Sequence, residues 1–130
     1  MTAVGAATPV RTTRRRILVA DDNRDSAETL AMLLRVDGHE VMIAHDGSAA
    51  LAAFGGFAPD IVLLDIGMPG PNGYEVAQTI RQSRSGAEIK LIAITGWGQE
   101  TDKEKAFAAG FDHHLTKPVD TQQLSELLAG

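Results

Sequence analysis

Residues 61–66 read IVLLDI. The run is short, aliphatic and partly β-branched, and it carries no polar residue until Asp65. Such a run predicts a strand buried on both faces, the mark of a parallel sheet. ILVA (17–20), VMIA (41–44) and LIAIT (91–95) have the same character, and FDHHLT (111–116) is a weaker fifth candidate. Helix-period segments lie between them. Residues 24–36 place Ala27, Leu30, Ala31 and Leu34 on one apolar stripe. GSAALAAFGGF (47–57) reads as a short Ala-rich helix ended by Gly55-Gly56. Helices over 74–84 and 99–109 follow, the second stopped by Gly110 as a C-terminal cap. DTQQLSELLAG (120–130) closes the chain with Asp120 as N-cap. The order is (βα)5. It predicts an α/β, doubly wound parallel sheet with right-handed crossovers and helices on both faces.

Composition agrees with this. At 130 residues, 44% hydrophobic and 22% charged, the chain suits one globular domain with a single core. It has no cysteine, which excludes disulfides and thiolate metal sites. No apolar run approaches the ~18 residues that span a bilayer, and the first residues lack the pattern of a signal peptide. A cytoplasmic protein is expected. Of the 12 Lys/Arg, Arg11, Arg14, Arg15 and Arg16 stand in residues 1–16, which hold no acid, so all 17 Asp/Glu fall after them. An acidic body behind a short basic tail is a poor nucleic-acid binder. Residues 1–15 are expected to form a flexible basic tail or linker, and residues 16–130 the folded domain.

In doubly wound folds ligands gather outside the carboxyl ends of the strands. Here those ends carry Asp21-Asp22, Asp65, Thr95-Gly96 and Lys117-Pro118. Strand two ends in AHDG, which reads as an ordinary turn into a helix. Two carboxylates ~4 Å apart repel by about 4 kcal/mol at an effective dielectric near 20. One lysine cannot offset that for three acids, so either their pKa values rise or a hard cation binds. Carboxylates with a backbone carbonyl are the oxygen ligands Mg²⁺ prefers. A carboxylate is also a competent nucleophile toward phosphorus. Asp65 is the best candidate, because IGMPGPNG (66–73) after it is stiffened by Pro69 and Pro71 and opened by three glycines. Each feature has a plainer reading alone: helix capping for Asp21-Asp22, a strand-end turn for Asp65, β-propensity for Thr95. Their joint appearance at four strand ends is what those readings leave unexplained.

ILVADDN (17–23), VLLDIGMPGPNGYE (62–75), IAITGWG (92–98) and LTKPVD (115–120), in that order, closely resemble the receiver domain of two-component response regulators. The resemblance covers essentially residues 16–129 and implies a flavodoxin-like sheet of order 2-1-3-4-5. It implies that Asp65 accepts a phosphoryl group from a phosphohistidine of a histidine kinase or phosphotransfer protein. Asp22, Asp65 and the main-chain carbonyl of Gly67 would bind Mg²⁺, with Mn²⁺ able to substitute and Asp21 acting through water. Lys117, Thr95 and Gly96 would contact the phosphoryl group, the Lys117–Pro118 peptide would be cis, and output would pass through the helix 4–strand 5–helix 5 face. The chain would catalyse only its own phosphorylation and dephosphorylation, as a monomer or weak homodimer. ITGWG, AGFDHHLTKP and the Gly67 loop resemble receivers of hybrid histidine kinases, leaving two origins open: a free-standing regulator or a hybrid-kinase receiver. With Gly130 last, output by protein contact is expected over any DNA-binding role.

Three departures stand out. Gly67, two places after Asp65, has no side chain to steer a hydrolytic water. Trp97 could cover the phosphoryl group, and both features imply slow self-dephosphorylation. His114 occupies the position, three before the lysine, where the family usually has Tyr or Phe. That makes His114 a candidate switch beside Thr95, and its titration near neutral pH would make the output face pH-sensitive. His113, on the other strand face, is expected to pack or hydrogen-bond under a helix without special chemistry. A zinc site on the two is disfavoured, since adjacent strand residues cannot easily share one ion. An alternative activity is a Mg²⁺-dependent aspartyl-phosphate hydrolase, but that chemistry needs an acid where Gly67 stands. A docking-only receiver would have lost the acids or lysine, and a flavodoxin-type cofactor site would not place DDNRD where a phosphate must sit.

Overall fold

The computed structural model describes residues 14–83, 88–96 and 103–129. Five strands, β1 (Arg16–Ala20), β2 (Glu40–Ala44), β3 (Ile61–Asp65), β4 (Lys90–Thr95) and β5 (His113–Thr116), alternate with five helices. These are α1 (Arg24–Val36), α2 (Gly47–Phe57), α3 (Gly73–Gln82), α4 (Lys103–Ala109) and α5 (Thr121–Ala129). The sheet is parallel throughout, in the order β2-β1-β3-β4-β5. This is the expected flavodoxin-like arrangement.

The apolar strands are buried on both faces because each face has its own core. Leu18, Ala20, Val62, Leu64, Leu91 and Ala93 point to one side, against Ala50 of α2, Val76 and Ile80 of α3 and Ala106 of α4. Ile17, Val19, Ile61, Leu63, Ile92 and Ile94 point to the other, against Ala27, Ala31 and Leu34 of α1 and Leu124 and Leu128 of α5. All five residues of β3 are buried, as its central position requires. Each such Leu or Ile contributes on the order of 1.5–3 kcal/mol through burial.

α1, α2, α3 and α5 begin at side-chain caps. Asn23 accepts from the Ser26 amide at 3.0 Å, Asp46 from Ala49 at 2.7 Å, and Asp120 from Gln122 at 2.9 Å. Asn72 and Glu75 form a reciprocal capping box at the start of α3. Gly110 (φ +106) follows α4 in the left-handed region, as a C-terminal cap should.

Some boundaries differ from expectation. α3 begins one residue early, at Gly73, and ends at Gln82, while residues 99–102 of the expected fourth helix and the first 13 residues of the tail lie outside the described residues. β3 stops at Asp65 rather than Ile66, although the Ile66 amide adds one more bond to the Ile94 carbonyl, at 3.0 Å. The glycines at 55 and 56 do not end α2. The helix keeps the expected span 47–57, with both glycines inside it, and is capped by Ala58 in the left-handed conformation (φ 53). Its last turn is held from outside: the Arg16 guanidinium stacks 4.2 Å over the Phe57 ring, and its Nε donates to the Phe57 carbonyl at 3.0 Å.

Gly73 is required by space. A Cβ there would lie 2.7 Å from Ile66 Cα and 2.9 Å from the Asp65 carbonyl, whereas a Cβ at Gly55 would meet nothing within 4 Å. Gly73→Ala should therefore cost about 1–3 kcal/mol through backbone displacement. Gly55→Ala should gain about 0.5–1 kcal/mol through helix propensity. Urea unfolding of the two variants measures the contrast.

Candidate functional site

A parallel sheet brings its carboxyl strand ends to one edge, and that edge collects the polar residues. Asp21 directly follows β1, Asp65 ends β3, Thr95 ends β4 and Lys117 directly follows β5. Backbone bonds hold these positions in register: Asp21 N–H donates to the Ala44 carbonyl at 3.0 Å, and Lys117 N–H to the Thr95 carbonyl at 2.7 Å.

The two buried acids are built alike. Asp21 Oδ1 accepts from the Asn23 amide at 2.9 Å, and Asp65 Oδ1 from the Gly67 amide at 3.0 Å. Each loop thereby fixes one oxygen of its carboxylate. The other oxygens face Lys117, whose Nζ is 2.9 Å from Asp21 Oδ2 and 3.6 Å from Asp65 Oδ2. Asp22 is exposed, yet one of its oxygens joins one each from Asp21 and Asp65 in a group spanning no more than 4.8 Å.

Asp21 and Asp65 are only 4% and 7% exposed, so solvent screens them little. Burial raises the Asp65 pKa from 3.8 to about 6; the Gly67 amide pulls it back, and the Asp21 carboxylate adds to the rise. Burial works against the Lys117 ammonium, but Asp21 and Asp65 outweigh it and hold its pKa above the ordinary value. Three carboxylates against one ammonium leave uncompensated negative charge on oxygens alone. That donor set fits a hard divalent cation such as Mg²⁺, with Asp21, Asp22 and Asp65 to hold it. Gly67 lies in the turn beside them.

Thr95 is buried at 1% exposure, and its Oγ1 lies 3.0 Å from His114 Nε2. Gly96 follows it at the same edge, and Trp97 lies outside the described residues. The Lys117–Pro118 and Gly70–Pro71 peptides are both cis, the second without any expectation from sequence. His113 corrects an expectation: it is exposed rather than packed under a helix, because β5 is the edge strand and only Leu115 of its face reaches the α1/α5 core. His45 was missed altogether. Its Nδ1 lies 3.1 Å from the Asp21 carbonyl, so the AHDG turn touches the site. The signal was available in strand order, since Ala20 pairs with Ala44 and residue 45 must then flank residue 21.

The family described as Response regulator receiver domain matches residues 17–129. The sensory transduction protein RegX3 of Mycobacterium tuberculosis is 37% identical over 108 residues, which are 83% of this chain but 46% of RegX3. The chain thus spans about half the length of that relative. Two solved receivers share the fold. One is the receiver domain of a sensor histidine kinase from Pseudomonas aeruginosa PAO1, solved with a magnesium ion in its active-site cleft. It has a TM-score of 0.80 and 28% identity, over 88% of this chain and 94% of that one. The other is the receiver domain of Saccharomyces cerevisiae Ssk1, solved with the histidine phosphotransfer protein Ypd1. It has a TM-score of 0.78 and 26% identity, over 88% and 86% of the two chains.

Because the folded-state pKa of Asp65 lies above its ordinary 3.8, at about 6, its ionisation opposes folding. The penalty is absent below pH ~4, where the carboxyl is protonated in both states, and is complete above pH ~6, at roughly 3 kcal/mol as an upper bound. In metal-free protein, Asp65→Asn should raise the unfolding free energy from urea titration at pH 7.5 by about 1–3 kcal/mol, and this gain should shrink toward zero at pH 3.5. Mg²⁺ should stabilise the parent chain at pH 7.5 and the variant much less.

Proposed function

The chain belongs to the response regulator receiver family, and on that premise we propose that Asp65 takes a phosphoryl group from a phosphohistidine of a histidine kinase or phosphotransfer protein. One observation carries the reading: three carboxylates converge at the strand ends while Lys117 Nζ reaches both buried ones, at 2.9 and 3.6 Å. Asp65 Oδ2 is the attacking atom, since Oδ1 is held by the Gly67 amide. The Oδ2–P bond forms as the imidazole N–P bond breaks, and the imidazole leaves with the electron pair. Phosphoryl transfer depends on alignment and charge neutralisation more than on a base. Lys117 supplies one positive charge next to Asp65, and the Thr95 hydroxyl is a second donor at the same edge. Asp22, Asp65 and the Gly67 carbonyl would hold Mg²⁺, or Mn²⁺ in its place, with Asp21 acting through water, and the ion would supply positive charge for the phosphoryl oxygens.

A cleft of about 510 Å³ beside Asp21 and Lys117, walled by Leu30, Leu33, Pro118 and Val119, supports approach of the donor protein from the α1 side. For output, the Thr95–His114 contact matters. A Thr95 hydroxyl turned toward a phosphoryl group must leave His114, whose ring borders a hollow of about 300 Å³ with Phe107, Phe111 and His113. The α4–β5–α5 face would change in this way and be read by a protein partner. In this reading the chain works in the cytoplasm and transforms no substrate but itself.

Incubation with Mg²⁺ and acetyl phosphate should add a single phosphoryl group, seen by intact mass, and Asp65→Asn should show none. Absence of the adduct in the parent chain overturns the reading, and Lys117→Ala should slow its formation by at least tenfold. The His114 ring resonances should move when a phosphoryl analogue binds. Unchanged resonances would remove His114 from the switch.

A further inference from the structure

Among the described residues, the buried polar side chains are Asp21, Asp65, Thr95 and His39. The first three belong to the phosphoryl site. His39, 5% exposed, lies at the opposite end of β1 and has no part in that chemistry.

Its backbone is fixed by the end of α1. Asp37, Gly38 and His39 donate in turn to the carbonyls of Leu33, Arg35 and Leu34, at 3.3, 2.9 and 3.1 Å, with Gly38 at φ +97. The chain then enters β2 at Glu40. From this position the ring reaches across to the segment preceding β1: Arg15 N–H donates to His39 Nδ1 at 3.1 Å. The Arg15 carbonyl accepts from the Glu40 amide at 2.9 Å. Both backbone groups of Arg15 are therefore held by residues 39 and 40. The imidazole supplies a side-chain rung just before the ladder begins at Arg16↔Glu40.

A backbone N–H can only donate, so Nδ1 must carry a lone pair and the ring must be neutral, with its proton on Nε2. Protonation would set two donors against each other. We propose that His39 is a proton-operated clasp: neutral, it seats the segment entering β1; protonated, it releases Arg15.

The charged surroundings are consistent with this. Burial opposes the charged ring and lowers its pKa; Asp37, from the α1–β2 turn, works the other way, and Arg15, from the segment before β1, reinforces the lowering. Arg16 of β1 and Glu40 of β2, next along the ladder, are paired to each other at 2.8 Å. With a folded-state pKa below 6.5, the clasp is closed above that pH and is lost as pH falls through the lowered value.

The test is NMR on the whole chain between pH 7.5 and 5. Long-range ¹H–¹⁵N correlation should give His39 as the neutral Nε2–H tautomer at pH 7.5. Amide exchange, corrected for the intrinsic pH dependence, should show Arg15 protection falling roughly five- to tenfold as the ring charges, with Leu18 and Leu63 unchanged. His39→Gln, which keeps an acceptor at every pH, should hold protection constant or lose it at every pH. His39→Phe should lack it throughout. A charged or Nδ1–H ring at pH 7.5 overturns the proposal, as does Arg15 protection that ignores ring titration. Both can be read on the parent chain if a variant does not fold.

Discussion

Asp21 and Asp65 sit at the carboxyl ends of neighbouring strands, almost excluded from water, and share one ammonium group. Like charges so placed repel by several kcal/mol when both ionise, and much of the surrounding structure serves to hold them there. The strands beneath them are apolar on both faces and cannot slip, since a shift of one residue would exchange the two cores. The loops above them turn back at once, each giving an amide to one carboxylate oxygen. The raised pKa of Asp65 is the visible cost of this arrangement, and it leaves the site receptive to cations and to groups that arrive with them.

The loop after Asp65 is tightly packed at two points. Gly73 lies against the backbone of Asp65 and Ile66, and Gly47, the first residue of α2, lies against Pro71 with room for no Cβ. The segment that positions the Gly67 amide is thus wedged between the starts of two helices. Behind it, Arg81 ties α3 to the loop before β5, donating to the Gly110 carbonyl at 2.9 Å and to Asp112 at 2.6 Å. Asp112 accepts in turn from the Leu91 amide at 2.9 Å, which joins the same loop to β4. The strands that carry Thr95 and Lys117 are therefore held at both ends.

Much of this could be read in the chain. ILVA and IVLLD announced themselves because strands covered on both sides have no polar face to disguise them, and the acids at or just after their ends named the site. Asp120 and Gly110 were legible because caps require particular residue types. What escaped depends on contacts between distant residues. Arg16 stacks on Phe57 at the end of α2, a contact that nothing within GSAALAAFGGF announces. The contact of His45 with Asp21 and of His39 with Arg15 each needs the strand order before it has meaning. His113 was misjudged because period-two alternation assigns a face, while only tertiary packing decides whether a helix covers it.

β1 has side-chain polar contacts at its two ends, and its side chains from Ile17 to Ala20 are apolar. At one end Asp21 meets Lys117; at the other the Arg15 amide meets an imidazole. The stretch that separates them, Ile17 to Ala20, is buried hydrocarbon on both sides. At about 3.3 Å per residue it sets the two contacts some 15–20 Å apart. No ionisable side chain in that stretch can relay a proton or a charge along it. The strand therefore acts as an insulator, and acidity sensed at one end and phosphorylation at the other would enter the molecule as separate inputs.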